Sequence, residues 1–181
     1  MGGIQKTSGA ASLRILDNNT SKLTEAARTF PAIRKGVVKF KLYAANLSDS
    51  FLFSLREPFS KGYDKPGIMY QFHLGSNGAL RTYNSSGSLV QLPSATTLIL
   101  NQWYDIELRF DTAADTCEIF INGVSKGTVG AYMTGNLINY FQVSSGSIVN
   151  TGTDVFIDDF FIQDVELSLP QAGTVGLEEV S

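Results

Sequence analysis

The stretch from Trp103 to Gly123 constrains the fold most. Tyr104, Ile106, Leu108 and Phe110 alternate with Asp105, Glu107, Arg109 and Asp111. A period of two is the mark of a strand with one buried and one wet face. A short polar loop over Thr112–Asp115 follows, and then Cys117, Ile119 and Ile121 alternate with Glu118, Phe120 and Asn122. The two runs predict an antiparallel hairpin. Asn122-Gly123 supplies the two positive-φ positions of a tight turn into a third strand over Val124–Val129. A helix cannot bury this pattern on one face, so the centre of the chain is a three-strand meander.

Composition extends that reading to the whole chain. It has 181 residues, 43% hydrophobic, enough for one domain with a real core. Seventeen Gly, together with many Ser, Thr and Asn, punctuate short apolar runs, as in all-β proteins. The net charge of −3 argues against a partner bound through a phosphate backbone, so no nucleic acid is expected. No apolar run approaches the roughly 20 residues of a membrane span, so no membrane partner is expected either. Cys117 is the only cysteine, which excludes an internal disulfide and a cysteine-based zinc site. Its inward strand position reads as a small core residue.

Further strands are predicted over Ser12–Leu16, Leu23–Phe30 (ended by Pro31), Gly36–Ala45, Ser50–Arg56, Ile68–Leu74, Ala79–Tyr83, Ser88–Leu92, Ile138–Ser144 and Asp154–Val165. Glu57–Pro66 is the longest irregular stretch, the kind of loop where binding residues often sit. Residues 1–11 read as a lead-in or tag: Met1-Gly2-Gly3 looks like an artificial start, so the natural chain is expected to be longer, and Met1–Lys6 has no apolar signal-peptide segment. Residues 12–168 form the domain, and 169–181 a linker-like tail with Pro170, Gly173 and Gly176. About a dozen short strands with frequent turn signals imply an all-β, two-sheet antiparallel sandwich of the jelly-roll kind.

Trp103–Asp111, followed by Ile119-Phe120-Ile121-Asn122-Gly123 and a strand of small residues, resembles the concanavalin A-like lectin and glucanase superfamily, laminin G-like modules included. Phe156-Ile157-Asp158-Asp159-Phe160 is similar to the strand that closes many carbohydrate-binding modules. The resemblance implies a curved sandwich whose concave sheet holds a saccharide, in a secreted protein with an attached polysaccharide-degrading enzyme. It also implies a structural calcium, held by an aspartate of the last strand, Asp158 or Asp159, with backbone carbonyls from the N-terminal segment. Oxygen ligands of that type suit calcium.

Strand parity yields the candidate site. With Phe40, Phe53, Phe72, Leu80 and Phe141 inward, Arg56, Gln71, His73, Arg81, Tyr83, Tyr140 and Gln142 face outward. Amides and guanidinium groups suit sugar hydroxyls and carboxylates, and rings stack on sugar C–H faces. Two arginines suit an acidic sugar. The same residues could instead be ordinary wet positions on two different sheets. Tyr43, Tyr63, Tyr83 and Tyr132 are the candidate exposed rings, whereas Trp103 reads as a packing residue.

Catalysis has weaker support. Gln71-Phe72-His73 and Tyr140-Phe141-Gln142-Val143-Ser144 resemble two segments of jelly-roll alginate lyases, in which a Gln neutralises the uronate and a His is the base. Gln142 stands where that family has lysine, and Gly146 falls where it has the catalytic tyrosine, so the acid is missing. The paired carboxylates of retaining glucanases, E-x-D-x-x-E, do not occur. Parity places Asp158 and Asp159 on opposite faces. The leading expectation is a non-catalytic carbohydrate-binding module for a polysaccharide. A lyase acting on a uronic acid polymer and a structural or adhesive surface domain are the alternatives.

Overall fold

The computed structural model describes residues 11–57 and 67–166. The expected lead-in, the 169–181 tail and most of the Glu57–Pro66 loop, with Tyr63, lie outside the described residues. No helix long and apolar enough to cross a membrane occurs among the described residues.

Twelve strands follow in order: β1 (Leu13–Leu16), β2 (Glu25–Ile33), β3 (Lys35–Asn46), β4 (Phe51–Arg56), β5 (Ile68–Leu74), β6 (Ala79–Tyr83), β7 (Leu89–Thr97), β8 (Trp103–Asp111), β9 (Thr116–Ile121), β10 (Val124–Gly130), β11 (Ile138–Ser145) and β12 (Asp154–Asp164). They form two six-stranded sheets, ordered β1-β12-β3-β8-β9-β10 and β2-β11-β4-β5-β6-β7. Every pairing is antiparallel. The central meander forms as the alternation requires. Tyr104, Ile106, Leu108, Phe110, Cys117, Ile119 and Ile121 are buried. Asn122 and Gly123 turn the chain at φ of 50° and 77°.

Between the sheets the inward rings interlock. Phe40 of the first sheet meets Phe53 at 5.4 Å, edge to face, and Phe141 at 5.1 Å, both from the second. Phe53 also stacks on Phe72 at 5.1 Å. These contacts lie directly beneath β4, β5 and β11. Cys117 is fully buried, and burial pushes its thiol well above the ordinary range, so it serves as core.

Several local expectations change. Pro31 does not end β2, which continues to Ile33. β2 is the edge strand of its sheet, where a missing N–H is tolerated. β7 extends past Pro93 to Thr97 across a register shift opposite Leu80 and Arg81. At that corner the sheets close on each other. Gly127 of β10 has φ of +107°, and a Cβ there would lie 2.6 Å from the Pro93 ring. Met69 has the parity of the outward Gln71 and His73, yet it is fully buried, and its carbonyl accepts a 2.6 Å hydrogen bond from the Tyr132 N–H. Parity also fails late in β12. One extra residue sits between the Asp158–Lys41 and Phe161–Lys39 pairs, and Asp159 takes φ of 51°. This bulge turns the Asp159 carboxylate toward Lys41, 3.4 Å away, on the same side as Asp158, rather than to the opposite face.

Candidate functional site

The six candidate residues, with Gln142, all stand on the outer face of the second sheet. The pairing register maps them. One row across the strands reads Glu25, Ser144, Leu52, His73, Arg81 and Gln91. A second reads Ala27, Gln142, Ser54 and Gln71. A third reads Thr29, Tyr140 and Arg56. Tyr83 lies two residues beyond Arg81 on β6 and shares its face. From strand geometry the patch covers about 13 Å along the strands and about 14 Å across them. The possibility that these positions fall on two different sheets is thereby removed.

These side chains are half-buried rather than splayed into solvent. The Arg56 Nε donates to Ser54 Oγ at 3.1 Å. Burial draws the Arg56 guanidinium below its ordinary value, against Tyr140 and Glu25, which raise it. Gln142 Nε2 donates to Glu25 at 2.6 Å. His73 and Tyr83 meet edge to face at 6.5 Å, and Tyr83 leans on Tyr132 at 6.0 Å. Burial first, and then the charge of Arg81, hold the His73 imidazole below its ordinary value. Asp49 and the residue's own backbone oppose them. Three buried polar atoms on this face have no hydrogen-bond partner: His73 Nδ1, Arg81 Nε and Gln142 Oε1. Neither Arg56 nor Arg81 has a carboxylate within ion-pair distance among the described residues. A buried polar group without a partner is costly, so an outside group that reached these atoms would be rewarded; Asp17 Oδ2, Asp115 Oδ1 and Asn139 Oδ1 are in the same state.

The outer face of the first sheet differs. Lys35 pairs with Asp111 at 3.0 Å, Lys39 with Glu107 at 3.0 Å, and Lys41 with Asp159 at 3.4 Å. Arg109 pairs with Glu107 at 2.5 Å and lies over the Phe120 ring at 4.1 Å. Four of its cations are thus paired with carboxylates within the sheet. Trp103 packs there on Tyr43 at 5.3 Å. Tyr43 is itself buried, which removes it as an exposed ring.

Tyr132 belongs with the site through the loop after β10, a fold-back that parity cannot show. Glu25 joins through β2, whose neighbour β11 is distant in sequence. At the β12 bulge, Asp158 Oδ1 accepts from the Asp159 N–H at 2.8 Å. No three His, Cys, Asp or Glu side chains converge among the described residues. A calcium there would take one or two carboxylate oxygens in competition with Lys41 and complete its shell with carbonyls and water.

No family model matches the sequence, and no curated protein does. Solved structures do match. A sialidase superposes with a TM-score of 0.70 at 14% identity over 90% of this chain, which spans 17% of that protein. A Caenorhabditis elegans galectin gives 0.55 at 14% identity, covering 83% of this chain and 95% of its own. The fold is a concanavalin A-like jelly roll. An alginate lyase of polysaccharide lyase family 7 shares the jelly roll at a TM-score of 0.52 and 11% identity, over 77% of this chain and 62% of its own. At these identities the likeness fixes the architecture of the jelly roll, and its chemistry has to be read from the face itself.

Proposed function

We propose that this jelly roll is a non-catalytic carbohydrate-binding domain that takes a polysaccharide on the outer face of its second sheet. Arg56, Gln71, His73, Arg81, Tyr83 and Tyr140 contact the sugar in this reading. One observation carries it: half-buried polar side chains on that face keep unpartnered atoms, while four cations of the opposite face are paired with carboxylates. A preformed face of this kind binds with little reorganisation. The His73, Tyr83 and Tyr132 rings offer apolar contact beside the hydrogen-bonding groups. In the same reading the domain is secreted and targets an attached enzyme. A calcium at Asp158 and Asp159 would act as a structural tie.

A screen against neutral and acidic polysaccharides, with and without a calcium chelator, tests the proposal. Binding that is lost in Arg56→Ala and Tyr83→Ala supports it, and no binding to any polymer refutes it in favour of a structural role. Gln71, His73 and Tyr140 on one face also favour a lyase reading, in which His73 is the base. The position expected for the acid is Gly146, where a Cβ would collide with the Ser50 side chain, so no larger residue fits. Unsaturated products absorbing in the ultraviolet after incubation with alginate would overturn the non-catalytic reading.

A further inference from the structure

His73 and Arg81 stand directly opposite each other on β5 and β6. Each has a buried ring or guanidinium nitrogen with no partner, His73 Nδ1 and Arg81 Nε. Arg81 Nη2 would lie only 3.3 Å from a Cβ placed on Gly75, so the glycine leaves the guanidinium its room over the turn after β5. An Arg Nε–H can only donate. A protonated Nδ1 can only donate as well. An oxyanion accepts from both and also supplies Arg81 with a counter-charge. A hydroxyl would satisfy hydrogen bonding but would leave Arg81 without a counter-charge.

Resting on the saccharide-binding reading above, we infer that the His73–Arg81 pair is the seat for an oxyanion of the bound polysaccharide, and that His73 takes up a proton from solvent when the anion lands. The groups facing His73 agree with this. Arg81 and Tyr83 approach from β6, the uncharged Leu52 lies opposite on β4, and Asp49 approaches from the turn before β4. Only Asp49 is acidic among them, and no hydrogen bond joins it to the ring among the described residues. In the free protein the burial of His73 and the Arg81 charge favour the neutral ring. An anion cancels the second effect and rewards the proton on Nδ1. Binding therefore tightens as pH falls. The two sources of an oxyanion, a uronate carboxylate and a sulfate ester, share this chemistry.

The test is calorimetric titration of alginate oligomers, a sulfated galactan and a neutral glucan at two pH values and in buffers of different ionisation enthalpy. The expected result is binding of at least one anionic polymer. Its affinity rises about fivefold from about pH 7.5 to about pH 5.5, with proton uptake read from the buffer dependence. Whichever anionic polymer binds names the source. His73→Gln is expected to abolish the pH dependence while the salt dependence stays. Arg81→Gln is expected to weaken binding about tenfold or more. Arg81→Lys keeps the charge without the Nε donor and is expected to lose much of the affinity while keeping the pH dependence. Circular dichroism and Tm confirm that each variant is folded. Equal binding of neutral glucan, or anionic binding that ignores pH in the parent protein, overturns this inference and leaves the saccharide reading standing. No binding to any polymer overturns both.

Discussion

Replacing Phe53 by Ala removes the ring on which the proposed binding face rests. Phe53 is fully buried on β4, edge to face with Phe40 at 5.4 Å and stacked on Phe72 at 5.1 Å. A buried Phe→Ala change costs about 3–5 kcal/mol through lost transfer energy and the cavity left behind. The upper part of that range is expected here, because sheets flanking the cavity are held in register on both sides and collapse little. For a chain of this length that is a fall in Tm of about 10–15 °C. Phe53→Leu keeps most of the volume but loses both ring contacts, at about 1–2 kcal/mol. Urea unfolding gives both values directly, and a double-mutant cycle with Phe72→Leu is expected to return a coupling of about 0.5–1.5 kcal/mol. A loss below about 1.5 kcal/mol for Phe53→Ala would contradict the close interlocking of the two sheets, since only a loose core absorbs that deletion.

Gly127→Ala is expected to destabilise by about 2 kcal/mol, from the positive φ and the Pro93 contact together, and Pro93→Gly, which removes the ring with its Cβ, should recover only the contact, as read from denaturant midpoints. Trp103→Ala is expected to lower Tm but leave saccharide affinity unchanged in the binding screen, because it packs on the opposite sheet. Against burial, which raises it, Arg109 and Lys39 hold the Glu107 carboxyl below its ordinary value, and Lys35 does the same for Asp111. Both are depressed in the folded state, so their stabilisation is present above the ordinary carboxylate range and is lost as pH falls through the folded values. Denaturant midpoints should therefore drop below about pH 4.5, less steeply in Glu107→Gln. A chelator is expected to lower Tm by a few degrees, with recovery on adding calcium, and an unchanged Tm would remove the cation from Asp158 and Asp159.

Period-two alternation made β8, β9 and the inward set legible, because each strand buries one face and exposes the other. It also made the polar outer face of the second sheet legible as a list of residues. Its assembly was not legible. β4, β5 and β6 are neighbours along the chain, but β11 enters beside β4 and brings Tyr140 and Gln142 into the same face. Pairing between distant strands leaves no local trace in the sequence. The turn of Asp159 toward Lys41 was hidden for a related reason, since a bulge changes parity without changing the apolar pattern on either side. Pro31 misled because its effect depends on strand position, which is set by the same distant pairings. Unpartnered atoms on His73 and Arg81 emerge only from three-dimensional packing.

The two flanks of the sandwich differ in a way that matters when copies crowd together. At one flank β7 and β10 lean together around Pro93 and Gly127, which covers their edges. At the other, β1 and β2 are the outermost strands of their sheets among the described residues. An uncovered edge is a template for a strand from another molecule. β1 spans only four residues, and β2 carries Glu25, Arg28 and Pro31 along its length. A charge or a proline on an edge discourages such pairing. If the proposed function holds, molecules lined up along one polysaccharide chain would meet at high local concentration, and Arg28 and Pro31 on β2 would then disfavour strand pairing between neighbouring copies.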